Sequence, residues 1–208
     1  IGKGEHVQVE FVSANPTGPL HIGSARNAVL GDAIASVLEA AGYDVKREYY
    51  VNDAGSRMQA FHQTLFARYA QALGVDADVP EDGYQGQHMV DLGARIAEEH
   101  GRAFLEMPRE EALREIGALG LESVVAGARE DLALMEVHFD RWFSEQSLYD
   151  DGKYGRIMTI LREGGYVDVH DGAVWFNATA LGGAKDEVLV RSDGTPGYFA
   201  SDIAYHLD

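Results

Sequence analysis

The 208-residue sequence contains no cysteine, which excludes disulfides and thiolate-bound metals. No run of about 18 apolar residues occurs, so no membrane-spanning helix is expected. No secretory leader is visible either, and a cytoplasmic location is expected. Basic residues are scarce: 17 Lys and Arg stand against 34 Asp and Glu, a formal net charge of -17. Nucleic-acid surfaces are basic, so this balance alone argues against one. Internal repeats and low-complexity segments are absent. What is present is a hydrophobic fraction of 46%, enough for a packed core and unlike a disordered chain. The length suits one large domain or a domain carrying an insertion. The first residue is Ile1 and the last, Asp208, falls inside a helical pattern, so a fragment of a longer protein is expected.

The stretch VEFVSANPTGPLHIGSARN, residues 9–27, organises the chain. Val7, Val9 and Phe11 alternate with Gln8 and Glu10, a strand signal. Glu10 then faces either a cleft or the wet side of an edge strand. A Pro/Gly turn follows, and His21-Ile22-Gly23 opens a helix running to Ala41, with Gly42 as its stop. Leu30, Ile34, Val37, Leu38 and Ala41 have helical spacing. Residues 44–53 read as a second strand, making a βαβ unit with parallel strands. Ligands in such sheets lie beyond the carboxyl ends of the strands, where residues 13–21 fall. A third helix, marked by Met58, Phe61, Leu65, Tyr69, Ala72 and Leu73, stops at Gly74.

Residues 75–87 read as loop. Helices are expected near residues 89–100, 109–119 and 121–139, and a loop with a short helix over 144–161. Asp171-Gly172 joins two short strands as a hairpin, residues 187–191 form another strand, and a helix begins near Tyr198. The expected fold is α/β, the first half of a Rossmann-like parallel sheet over residues 1–74. A mostly helical insertion occupies 75–165, and a hairpin returning to the Rossmann-like domain occupies 166–208.

A helix N-terminus with nearby glycine binds phosphates, and imidazole can donate to a phosphate oxygen. Glycine at position 23 also lets a nucleotide approach the backbone. His-x-Gly alone is a weak signal; the rigid Asn-Pro-Thr-Gly-Pro before it strengthens it. The remaining histidines show no ligand spacing with carboxylates, and no metal site is expected from protein side chains.

VEFVSANPTGPLHIG resembles the first signature of class I aminoacyl-tRNA synthetases, and in detail that of the arginyl family. REYYVNDAG (residues 47–55), WFSEQSLY (142–149), VLVRSDGT (188–195) and YFASDIAYH (198–206) are similar to the same family. Several spaced motifs in order are more specific than any one. The resemblance implies a ligase that makes arginyl-adenylate from L-arginine and ATP, with Mg²⁺, then esterifies tRNA(Arg). It implies an arginine site of Glu10, Ser13, Asn15, Tyr198 and Asp202. A guanidinium calls for carboxylates and an aromatic or hydroxyl neighbour, which these supply. It implies ATP contacts at Pro16, Gly18, His21, Gly23 and Ser24, with His21, Gly23 and Ser24 catalytic. This displacement depends on positioning and charge stabilisation, so no general base is required. The isolated chain is expected to be inactive or nearly so, and the enzyme monomeric.

Departures from the family pattern are visible. Ser24 stands where the family usually has histidine, and it cannot carry a positive charge; Arg26 is a candidate compensator. Gly18 stands where some members have lysine, and no Lys-Met-Ser-Lys loop occurs. Gly197 replaces an expected threonine, which is expected to loosen the loop before Tyr198. The alternatives are a nucleotidylyltransferase sharing the histidine–glycine corner, or a non-catalytic arginine- or nucleotide-binding paralogue. The acidity fits a basic surface located elsewhere in the protein, a solvent-facing acidic insertion, or an acidic proteome.

Overall fold

The computed structural model describes residues 1–207. It divides into two compact units, Ile1–Phe143 and a second beginning at Ser144. In the first unit, strand β1 (His6–Glu10) leads through a turn into helix α1 (Ile22–Ala40) and strand β2 (Asp44–Val51). β1 and β2 are parallel, in register from His6 opposite Asp44 to Glu10 opposite Glu48. The expected βαβ unit is thus present. A third strand, β3 (Arg141–Ser144), extends the sheet in the order β1-β2-β3. No alternation announces β3, since Arg-Trp-Phe-Ser is only four residues long.

Helix α1 inverts the face its apolar spacing suggests. Leu30, Ile34 and Val37 are 54%, 54% and 68% exposed, whereas Ser24, Ala28, Gly31 and Ala35 are buried. The cause is a close approach to the strand end. A Cβ on Gly31 would fall 2.2 Å from Cγ of Phe11, so only small residues fit that face. Arg47 of β2 ties the helix down by donating to Asp32 at 3.0 Å and Glu39 at 2.6 Å.

Helices α2 (Ser56–Ala72), α3 (Gln87–His100) and α4 (Arg109–Leu134) bury a shared apolar core. Phe61, Leu65, Tyr69, Met89 and Ile116 are its fully enclosed members. α4 is one 26-residue helix, where the sequence reading expects two separated at Gly120. Gly120 is not a stop. It admits Leu65, whose Cδ2 would lie 2.3 Å from a Cβ there. A second core joins Phe11, Ala28, Tyr49 and Val51 to Leu132 and Val137.

The second unit contains α5 (Gln146–Asp150), α6 (Lys153–Glu163), β4 (Val167–His170), β5 (Ala173–Phe176), β6 (Glu187–Val190) and α7 (Tyr198–Leu207). β4 and β5 form the expected hairpin, with Asp171 and Gly172 both at positive φ (55° and 74°), as a two-residue hairpin turn demands. β6 pairs antiparallel with β5. Two helices, α5 and α6, occupy the segment read as a loop and one short helix. Among the described residues, no helix is long and apolar enough to cross a membrane.

Candidate active site

The carboxyl end of β1 breaks into an unusual corner. Val12 and Ser13 both adopt positive φ, 66° and 41°. For a β-branched residue this is a genuine outlier, and such conformations cost about 1–3 kcal/mol each. The Ser13 N–H donates to the Phe11 carbonyl at 3.0 Å, closing a three-residue turn on Val12. Side chains from two elements hold the rest. The Val12 N–H donates to Oδ1 of Asn27 on α1 at 3.0 Å. The Ala14 N–H donates to the Tyr49 hydroxyl at 3.2 Å, and the Tyr50 N–H to Oγ of Ser13 at 3.0 Å. Ser13 Oγ in turn donates to Oε1 of Glu10. Tyr49 is itself rigid, stacked on Trp142 with ring centroids 4.1 Å apart. Burial pushes its hydroxyl above the ordinary tyrosine range, and the Ala14 contact opposes this.

Beyond the corner the chain turns through residues 15–19. Pro16 is buried, Asn15 is exposed, and the Thr17 N–H donates to the Asn15 carbonyl at 2.8 Å. His88 at the start of α3 reaches this turn, with Nε2 3.0 Å from the Thr17 carbonyl. A Cβ on Gly18 would lie 2.7 Å from the same nitrogen. Glycine at position 18 therefore reflects a histidine ring occupying the space that a lysine stem would need.

His21 caps α1. Its Nδ1 accepts from the Gly23 N–H at 3.0 Å and from the Ser24 N–H at 3.4 Å. With Nδ1 accepting, the neutral ring carries its proton on Nε2, available to donate outward. Gly23 is needed for this fold-back, because a Cβ there would lie 2.8 Å from Cε1 of His21. The first turn of α1 contains no acidic residue, so its positive end is uncompensated and suited to an anion. Ser24 is buried, while His21, Gly23 and Arg26 are exposed. The Ser24 backbone, rather than its hydroxyl, makes the recorded contact to His21.

In the second unit, Tyr198 and Asp202 lie one turn apart on α7, both exposed, with Tyr198 62% accessible. Ala200, Ser201 and Ala204 form the buried face of the helix. The Tyr149 hydroxyl is 3.0 Å from Oγ of Ser201 and pins α7 to α5. Desolvation raises the Asp202 carboxyl above the ordinary aspartate value, and the charge of His206 one turn on opposes this. Gly197 does not loosen the approach to Tyr198. It is buried, its N–H donates to the Leu189 carbonyl at 2.8 Å, and a Cβ would lie 2.4 Å from the Val188 carbonyl oxygen.

The first unit thus gathers Glu10, Ser13, Asn15, Pro16, Gly18, His21, Gly23 and Ser24 along one continuous strand–turn–helix corner. The second unit carries Tyr198 and Asp202. Sequence reasoning overlooks Asn27, Tyr49 and His88. Asn27 ends the 9–27 stretch and Tyr49 lies in the motif at 47–55, but no local pattern tells what they hold, because each of the three acts on backbone groups 15, 35 or 71 residues away.

Known proteins resemble this chain in sequence and fold. An arginine–tRNA ligase of Dehalococcoides mccartyi is 54% identical over 208 residues, all of this chain and 37% of that protein. One from Caldanaerobacter subterraneus is 50% identical over 206 residues, 99% of this chain and again 37% of the relative. The chain therefore spans little more than a third of the length of the curated relatives it matches. A Campylobacter jejuni structure described as an arginyl tRNA synthetase superposes with a TM-score of 0.82 at 33% identity. That match covers 99% of this chain and 46% of that one. Thermus thermophilus arginyl-tRNA synthetase follows at 0.69 and 25% identity, covering 98% of this chain and 35% of that one. The family described as tRNA synthetases class I (R), catalytic domain, matches residues 2–207, and the chain belongs to that family.

Proposed function

We propose that the protein containing this chain is an ATP-dependent arginine–tRNA ligase. In the first step an oxygen of the arginine carboxylate bonds to the α-phosphorus of ATP. The bond from that phosphorus to the bridging oxygen breaks, and pyrophosphate leaves. In the second step a ribose hydroxyl at the 3′ end of tRNA(Arg) attacks the activated carbonyl, and AMP leaves. The observation that carries this reading is the His21-capped start of α1, which aims an imidazole N–H and an uncompensated helix N-terminus outward beside the strained end of β1. Preorganised donors of this kind stabilise charge developing on a phosphoryl group.

His21, Gly23 and Ser24 are assigned to the α-phosphate, with Pro16 and Gly18 shaping the ATP-binding turn. Glu10, Ser13 and Asn15, and in the second unit Tyr198 and Asp202, are assigned to arginine. Glu10 and Asp202 match the guanidinium in charge, and Asn15 suits the amino-acid end. Mg²⁺ is assigned to the ATP phosphates. Residues 75–165 are assigned to an insertion within the catalytic domain, and the enzyme to the cytoplasm as a monomer. The 208-residue chain alone is expected to be inactive or nearly so.

Arginine-dependent ATP–pyrophosphate exchange by the whole enzyme, with tRNA(Arg) supplied, tests the reading. His21→Ala is expected to slow exchange by about 100-fold or more. Exchange that proceeds equally without arginine overturns the assignment in favour of a nucleotidylyltransferase.

A further inference from the structure

We propose that Asn27 is a positioning residue for the arginine reaction, acting through the left-handed pair Val12-Ser13. The inference rests on the function proposed above. Two consecutive non-glycine residues at φ 66° and 41° do not persist unless their surroundings over-determine them. The Val12 N–H points at helix α1, and the Asn27 amide oxygen receives it at 3.0 Å. Among the described residues it is the hydrogen bond that the Val12 N–H makes, and it spans 15 residues.

Its consequence is geometric. Glu10 and Ser13 precede or form the corner, Asn15 follows it, and His21 begins the helix that carries Asn27. The Asn27 amide therefore links the residues assigned to arginine with the residue assigned to the α-phosphate. A displacement of about 1 Å between two such groups lowers a displacement rate by up to about 100-fold. Asn27 touches neither substrate in this scheme. It fixes the relative placement of groups that do.

The test uses the whole enzyme and compares Asn27→Ala with Asn27→Asp, which keeps an acceptor at the same place. Asn27→Ala is expected to lower kcat/KM for arginine in pyrophosphate exchange by about 10- to 100-fold, with little change in Tm. Asn27→Asp is expected to recover most of that loss. In hydrogen exchange, the Val12 and Ser13 amides are expected to lose protection in Asn27→Ala and regain it in Asn27→Asp. A merely structural role predicts the opposite split, a lowered Tm with unchanged kinetics per folded molecule, and that result overturns the proposal. So does wild-type amide protection at Val12 in Asn27→Ala. An inactive wild-type enzyme overturns the arginine reading, and the positioning role that rests on it, whatever the exchange data show at the corner.

Discussion

Nδ1 of His21 accepts the Gly23 N–H at 3.0 Å, and the ring lies so close that a Cβ on Gly23 would stand 2.8 Å from its Cε1. The glycine of the His-x-Gly signature thus has a role before any nucleotide arrives. It lets the imidazole fold over the helix start, spend its Nδ1 lone pair on the cap and present Nε2–H. Gly23→Ala is expected to displace the ring, cost about 1 kcal/mol of cap stability, and lower kcat/KM for ATP by about tenfold. Steady-state pyrophosphate exchange and a thermal melt check both. An unchanged kcat/KM means the ring does not serve ATP from this pose.

Ser24 departs from the family pattern, yet its side chain is buried and its recorded contact to His21 runs through the backbone N–H. Ser24→Ala is therefore expected to change the KM for ATP by less than about threefold, within the range of a single neutral hydrogen bond. A larger loss in the same exchange assay would show that the hydroxyl reaches the nucleotide.

Asp202 supplies a pH dependence. Desolvation raises its carboxyl in the folded protein, so its contribution to stability is full below the unfolded pKa and is lost as pH rises through the folded one. Asp202→Asn should accordingly raise Tm at neutral pH and leave it unchanged near pH 3. Arginine binding has the opposite sense, because a guanidinium requires the charged carboxylate. Calorimetric affinity for arginine should fall as pH drops through the raised pKa. At neutral pH, Asp202→Asn should weaken it by about tenfold or more. Wild-type affinity that does not fall as pH drops through the carboxylate range would remove Asp202 from the proposed arginine site.

Gly31 tests the packing beneath the corner. A Cβ there would fall 2.2 Å from Phe11, whose ring is backed by Phe139 with centroids 4.5 Å apart. Overpacking of this kind costs about 1–3 kcal/mol, more than the roughly 1 kcal/mol that alanine returns in helix propensity. Gly31→Ala should lower Tm by a few degrees. It should also raise the KM for arginine, because Phe11 leads directly into Val12. A stabilised variant would show that Phe11 has room to move.

Local pattern carried most of the element list. Alternation located β1, Asp-Gly located the hairpin between β4 and β5, and glycine stops ended α1 and α2. Gly120 misled because close packing and chain reversal use the same residue. Only the neighbour, Leu65, tells them apart. The apolar spacing of α1 was real, but it lies on the exposed side, since the strand end admits only Ala28, Gly31 and Ala35.

The sequence by itself determined the family and the residues of the strand–turn–helix signature, because their order along 19 positions is a local property. The family resemblance, not spacing, proposed Tyr198 and Asp202 for arginine; their spacing says only that they share one face of α7. The tertiary structure alone decided how the corner is held. Asn27 and Tyr49 reach the corner at Val12 and Ala14 from α1 and β2, beside the left-handed backbone of Val12 and Ser13, and His88 reaches the following turn at Thr17 from α3. The physical reason is that backbone strain and its compensation are paid between groups far apart in sequence, where no short-range propensity records them.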